Sequence, residues 1–92
     1  MNNLITSSML KKYREITKKA LEIASKNVAL QKEQDAMKIL ETAKNYLSDS
    51  DHFEKKQDFV NAFGSIYYAH GWLDSGARLG IFNVKNSALF AA

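Results

Sequence analysis

The chain has 92 residues, 46% hydrophobic and 25% charged, with a formal net charge of +3 and neither cysteine nor proline. Such a length and make-up suit one globular domain with a modest core, and the lack of cysteine excludes disulfides, thiolate zinc sites and thiol nucleophiles. No run approaches the roughly 18 consecutive apolar residues of a membrane span, and the opening MNNLITSS lacks the regions of a signal peptide, so a cytoplasmic protein with no membrane contact is expected.

A first helix is expected over residues 7–29, where Met9, Tyr13, Ile16, Ala20, Ile23 and Ala24 recur at three-four spacing. Lys11, Arg14, Lys18, Glu22 and Lys26 fall on the other side, and Thr6, Ser7 or Ser8 is placed to cap the start. The apolar phase slips around LQKEQD. A turn is read there, with Asp35 as cap of a second helix over 35–56 and a seam of Ala36, Ile39/Leu40, Ala43, Tyr46/Leu47, Ser50 and Phe53. Asp58 is read as the cap of a third helix over 58–79, with Gly80 as its left-handed terminator. The remaining IFNVKNSALFAA is apolar without helical period. Ile81, Phe82, Val84, Leu89 and Phe90 are too many apolar groups for a disordered tail. The expected fold is an all-α antiparallel three-helix bundle with an ordered extended C-terminal arm over 81–92, all in one domain, 1–92.

Charge is uneven along the chain. Residues 1–32 carry seven Lys/Arg and two Glu, a local net of +5; residues 33–92 carry six basic and eight acidic residues, a net of −2. The basic residues of the first helix spread over a wide arc, interleaved with Glu15 and Glu22, and no aromatic lies among them. Weak, salt-sensitive contact with nucleic acid is the most they support.

The third helix is the informative one. On a wheel of 100° per residue, Phe59, Ala62, Phe63, Ile66, Ala69, Leu73 and Ala77 form its core side. Tyr68, Trp72 and Leu79 lie opposite, beside a strip of Gly64, Gly71 and Ser75. A helix apolar on two faces is expected to be covered on both. Glycine costs a helix about 1 kcal/mol relative to alanine, so the strip implies close approach of another backbone. The C-terminal arm, the first helix and a second copy of the protein are the candidate covers, with the arm and a second copy able to contribute together, which makes Gly64, Tyr68, Gly71, Trp72, Ser75, Leu79, Phe82 and Phe90 the candidate interface.

The stretch YLSDSDHFEKKQDFVNAFGSIYYAHGWLDSGARLGIF, residues 46–82, resembles an archaeal family known as domain of unknown function 357. The likeness is carried by Tyr46-Leu47, Asp49, Phe53, Asp58, Ala62-Phe63, Tyr68-Ala69, Gly71, Trp72-Leu73-Asp74, Gly76, Arg78 and Leu79-Gly80, with Leu89-Phe90 as a terminal pair. Ser50 and Ser75 stand where that pattern favours alanine, and Gln57 where it favours glycine. If the turn needs positive φ at Gln57, the residue carries about 1–2 kcal/mol of strain. The resemblance implies an all-helical bundle and no assigned activity. A fainter likeness to helical hairpins of tetratricopeptide repeats and nucleotide-binding HEPN domains follows from close helix packing alone.

Two constellations bear on chemistry. His70, Asp74 and Arg78 recur every four residues with Tyr67 beside them. As a polar cleft, Asp74 would orient His70 while Arg78 holds a phosphate or carboxylate. As structure, Asp74 pairs with Arg78 and satisfies a half-buried histidine, and that reading is preferred because one helix lacks the convergent groups of catalysis. Asp49 and His52 make at most half a metal site, and with two histidines in the chain no metal is expected. Serine-nucleophile motifs are absent, and the glycines lie along a helix instead of forming a phosphate loop. The function expected is a small interaction module that associates with itself as a homodimer, or with a protein partner, without a catalytic residue or cofactor. The alternatives are an RNA- or nucleotide-associated helper and an enzyme acting on a phosphorylated small molecule through the Tyr67, His70, Asp74, Arg78 cleft.

Overall fold

A computed structural model describes residues 4–91 of the chain. The described residues form three helices, α1 Ser7–Ser25, α2 Glu33–Lys55 and α3 Phe59–Arg78, packed together with no strand among them. The longest seam runs between α2 and α3, and α1 packs more on α3 than on α2.

Each boundary has a local cause. Thr6 caps α1, its hydroxyl accepting from the Met9 N–H at 3.1 Å. The helix ends at Ser25, four residues before the expected end, where the Asn27 side chain takes the Ile23 carbonyl at 2.7 Å. The chain then extends to pair with residues beyond α3. Ala29 N–H donates to the Ile81 carbonyl at 2.8 Å, Asn83 N–H to the Asn27 carbonyl at 2.7 Å, and Val28 bridges Phe82 in antiparallel sense. Those bonds outcompete a further helical turn. Gln31, at φ 67°, reverses the chain. The start of α2 at Glu33 precedes Asp35, which is therefore not its cap; Lys32 holds that position without a side-chain bond.

The α2–α3 turn is a left-handed helix stop made without glycine. Gln57 sits at φ 60°, its N–H reaching Glu54 O at 2.8 Å and the Asp58 N–H reaching Phe53 O at 2.9 Å. Asp58 then caps α3, accepting from the Asn61 N–H at 3.2 Å. The same pair of bonds closes α3 at Gly80, φ 75°, through Gly80 N–H to Ala77 O at 3.2 Å and Ile81 N–H to Gly76 O at 2.9 Å.

Small residues dominate the helical part of the main core. Ala20, Ala24, Ala36, Ala43, Ala69 and Ala77 join Ile39, Leu47 and Leu73, and the bulk that fills the space between them comes from Ile81, Phe82 and Phe90. Phe82 is the largest fully buried side chain. Its ring lies on Gly76, where a Cβ would meet Phe82 Cδ2 at 2.7 Å and Ile39 Cδ1 at 3.2 Å. A second cluster of Leu10, Ala62 and Ile66, flanked by Phe53, Phe59 and Phe63, closes the other end.

Two expectations fail here. The residues after α3 do not cover Tyr68, Trp72 and Leu79, which stay 64%, 43% and 72% exposed. They enter the alanine-lined core instead, where Gly76 and its small neighbours leave room for the Phe82 ring. Phe82 and Phe90, at 1% and 3% exposure, are thus core residues and unavailable to an interface. The second failure concerns the seam of α1. Ala20 and Ala24 of the expected series are buried, but in the first half the buried residues are Leu10, Arg14 and Thr17, a stripe rotated by about one residue from the expected Met9, Tyr13 and Ile16, which flank it half-buried.

Candidate functional site

Two polar groups account for that rotation. Arg14, 9% exposed, reaches from α1 to the end of α2. Its Nε donates to Ser50 Oγ at 3.1 Å and lies 3.0 Å from Asp51 Oδ1, while Nη2 donates to Glu54 Oε1 at 2.7 Å. Ser50, fully buried, donates in turn to the Leu47 carbonyl at 2.7 Å. Every buried charge needs such partners, so Arg14 is a brace between helices and is lost to any basic surface on α1. Lys26 is likewise engaged, with Glu22 at 3.1 Å. Asp49 and His52 are both exposed, and among the described residues no three metal-binding side chains cluster.

Thr17 is the second group. Its hydroxyl lies 2.9 Å from His70 Nδ1, and His70 Nε2 lies 2.6 Å from the Leu89 carbonyl. A carbonyl only accepts, so Nε2 carries a hydrogen and donates it to Leu89, and Nδ1 is engaged with the Thr17 hydroxyl. Asp74 Oδ1 accepts from the Ala91 N–H at 3.0 Å and stands 3.7 Å from His70 Nε2. His70 and Asp74 therefore hold residues 89–91 against α3, beside the buried Phe90. Neither nitrogen of His70 is left to take a substrate proton.

The four residues of the expected cleft do not all converge. Tyr67, His70 and Asp74 line a cleft of about 330 Å³ between α1 and α3; Arg78 is exposed and does not line it. Its walls are aromatic, with Phe63 centred 5.5 Å from Tyr13 and 4.8 Å from Tyr67, its floor is Ile16 and Ile66, and Ala88 forms one rim. The anion-holding residue of the sequence reading is thus outside the cleft. Tyr13, Ile16 and Phe63 are lining residues that sequence reasoning missed as a site, since helical periodicity assigns such side chains to core.

The outer face of α3 is a second surface. Val60, Tyr68, Trp72 and Leu79 are exposed along it, and beyond the helix's own neighbouring backbone, no described residue comes within 4 Å of where a Cβ would stand at Gly64 or Gly71. Tyr67, Tyr68, Gly71, Trp72 and Ser75 bound a depression of about 290 Å³ there. Tyr68 is held by Tyr46 of α2, the rings stacked at 5.4 Å and 24°. Ser75 turns its hydroxyl back to the Gly71 carbonyl at 2.9 Å, which hides its polarity within the helix. Along the whole of α3 the charged residues are Asp74 and Arg78 alone. No helix among the described residues is long and apolar enough to cross a membrane.

Comparison with known proteins places the chain in a family without an assigned activity. A family model described as "Protein of unknown function (DUF357)" matches residues 12–82. No curated protein and no solved structure matches.

Proposed function

The chain belongs to the DUF357 family, and from that premise we propose that it is a non-catalytic helical interaction module that associates with a second copy of itself through the outer face of α3. The observation that carries this reading is the pairing of an exposed apolar ridge with an open notch on one helix face. Tyr68 and Trp72 stand beside Gly64, Gly71 and Ser75. A two-fold contact repeats the same patch on both partners, so a crossing at Gly71 sets the ridge of each copy into the notch of the other. Contiguous exposed apolar surface of this kind marks interaction sites, and tryptophan and tyrosine are the residues that most often dominate them. Gly64 and Gly71 have a role in that contact, whereas no described side chain packs on them within one chain.

Within this reading the successive helices run antiparallel. Support comes from Arg14, early in α1, meeting Ser50 and Glu54 late in α2, and from Thr17 of α1 meeting His70 of α3. Residues 81–91 act as an arm that completes the core of their own subunit, and the whole chain behaves as one domain. Cytoplasmic residence fits a chain without cysteine. The nucleic-acid alternative has less support, because Arg14 faces inward and α3 carries a single basic residue of the Lys/Arg type, Arg78.

Light scattering across a concentration series tests the reading. A mass of two chains at high concentration, falling to one on dilution, is the expected result. A single-chain mass at every concentration overturns it.

A further inference from the structure

The cleft between α1 and α3 shares Tyr67 and Gly71 with the outer-face depression, but the rest of its lining lies apart from Trp72 and Ser75, and its chemistry can be read independently. Its volume, about 330 Å³, lies at the small end of the range of roughly 300–1,000 Å³ for small-molecule sites. Tyr13, Phe63 and Tyr67 present tilted rings to it, with centroids 4.8–5.5 Å apart. Rings so arranged offer flat apolar area and electron-rich faces, and an electron-rich face attracts a cation.

The polar groups at the His70 end of the lining are largely paired within the chain. Thr17 is engaged with His70, and His70 with Thr17 and Leu89. Asp74 gives Oδ1 to the Ala91 N–H, and its Oδ2 bonds to no described residue. No Lys or Arg lines the cleft. Besides the Tyr13 and Tyr67 hydroxyls, the polar atom left for a ligand is therefore an anionic carboxylate oxygen, placed beside an aromatic wall with neither Lys nor Arg in the lining. This inverts the anion-binding character that Arg78 would have conferred.

We propose that this cleft binds a small organic amine, its flat apolar body against Tyr13, Phe63 and Tyr67 and its ammonium group donating to Asp74 Oδ2. A carboxylate or phosphate ligand is repelled there, and a neutral analogue keeps only the apolar contacts. Because Asp74 also holds Ala91 and Ala88 forms the rim, the C-terminal residues are part of the site.

Amide chemical shifts of the full chain, titrated separately with phenethylammonium, 2-phenylethanol and 3-phenylpropionate, test the proposal. Phenethylammonium should give saturable shifts at Thr17, Tyr67, Gly71 and Ala88, with a dissociation constant on the order of 1 mM, the scale for a fragment this small. Phenylpropionate should give none, and phenylethanol should bind several-fold more weakly than the amine. Asp74→Asn retains an acceptor for the Ala91 N–H. It should weaken the amine about tenfold and leave phenylethanol within about twofold, as expected when one charge-assisted bond is lost. Tyr67→Ser, at an exposed ring, removes a wall without touching Asp74 and should weaken amine and alcohol alike. The proposal is overturned if no probe gives saturable shifts, if the carboxylate binds as well as the amine, or if the shifts gather around Trp72 and Leu79.

Discussion

The inner and outer faces of α3 are both apolar and both contain glycine, yet they are treated differently by the rest of the chain. On the inner face Gly76 is in contact with the Phe82 ring and with Ile39, and Ala69, Leu73 and Ala77 are buried around it. On the outer face Gly64 and Gly71 look into open space, and Tyr68, Trp72 and Leu79 are exposed. The difference lies in what the chain can deliver. Residues 81–91 follow directly on the Gly80 turn, and the alanines of the inner side leave a space that phenylalanine fills. Nothing remains in the described chain to do the same outside. One helix thus carries a completed core on one side and an uncompleted one on the other.

The largest expected effect belongs to the completed side. Phe82→Ala empties the centre of the core and should lower unfolding stability by about 3–5 kcal/mol, the range for buried aromatic truncations. Urea denaturation measures it; a loss below about 1 kcal/mol would mean that the C-terminal residues do not fill the core. Truncation after Gly80 should be worse, since it removes Ile81 and Phe90 as well.

Next come two identical substitutions with opposite signs. Gly76→Ala puts a methyl into the Phe82 ring and should destabilise by about 1–3 kcal/mol, as overpacking does. Gly71→Ala meets no atom and should stabilise the single chain by up to about 1 kcal/mol through helix propensity. Thermal melts of both variants side by side would erase the comparison if the two moved in the same direction. The smallest effect on the single chain is expected from Trp72→Ala. At dilutions where chains are separate, its stability should change by about 1 kcal/mol or less, near the range of surface positions. The same variant should weaken self-association at least tenfold by sedimentation, because aromatic anchors dominate such contacts.

Much of this arrangement was legible in the residues. The α2 seam, the Thr6 and Asp58 caps, the Gly80 terminator and the core face of α3 all follow from spacing and capping chemistry. The first half of the α1 seam did not, because its centre is Arg14 and Thr17, although Ala20 and Ala24 did. Hydrophobic periodicity cannot see a buried polar residue whose partners, Ser50, Glu54 and His70, lie more than thirty residues away. The destination of the arm was illegible for a similar reason. Its apolar content says that it must be buried, but the choice between two apolar faces depends on the shape of the space over Gly76, which no local pattern encodes. Tyr67, His70 and Asp74 were recognised as neighbours from their four-residue spacing. That Arg78 falls outside their cleft depends on how the bundle closes around it, and that His70 and Asp74 secure residues 89–91 depends on the returning chain.

The single tryptophan of the chain gives the most direct test, because it sits on the surface in question. Its fluorescence emission should be followed from the highest attainable concentration down through dilution, together with the mass by light scattering. Self-association through the outer face of α3 predicts emission at shorter wavelength in the concentrated protein, moving to longer wavelength as the mass falls from two chains to one, with Gly71→Leu locked in the diluted behaviour. Emission that stays constant while the mass changes would place the contact elsewhere on the molecule, and a constant single-chain mass would contradict the account outright.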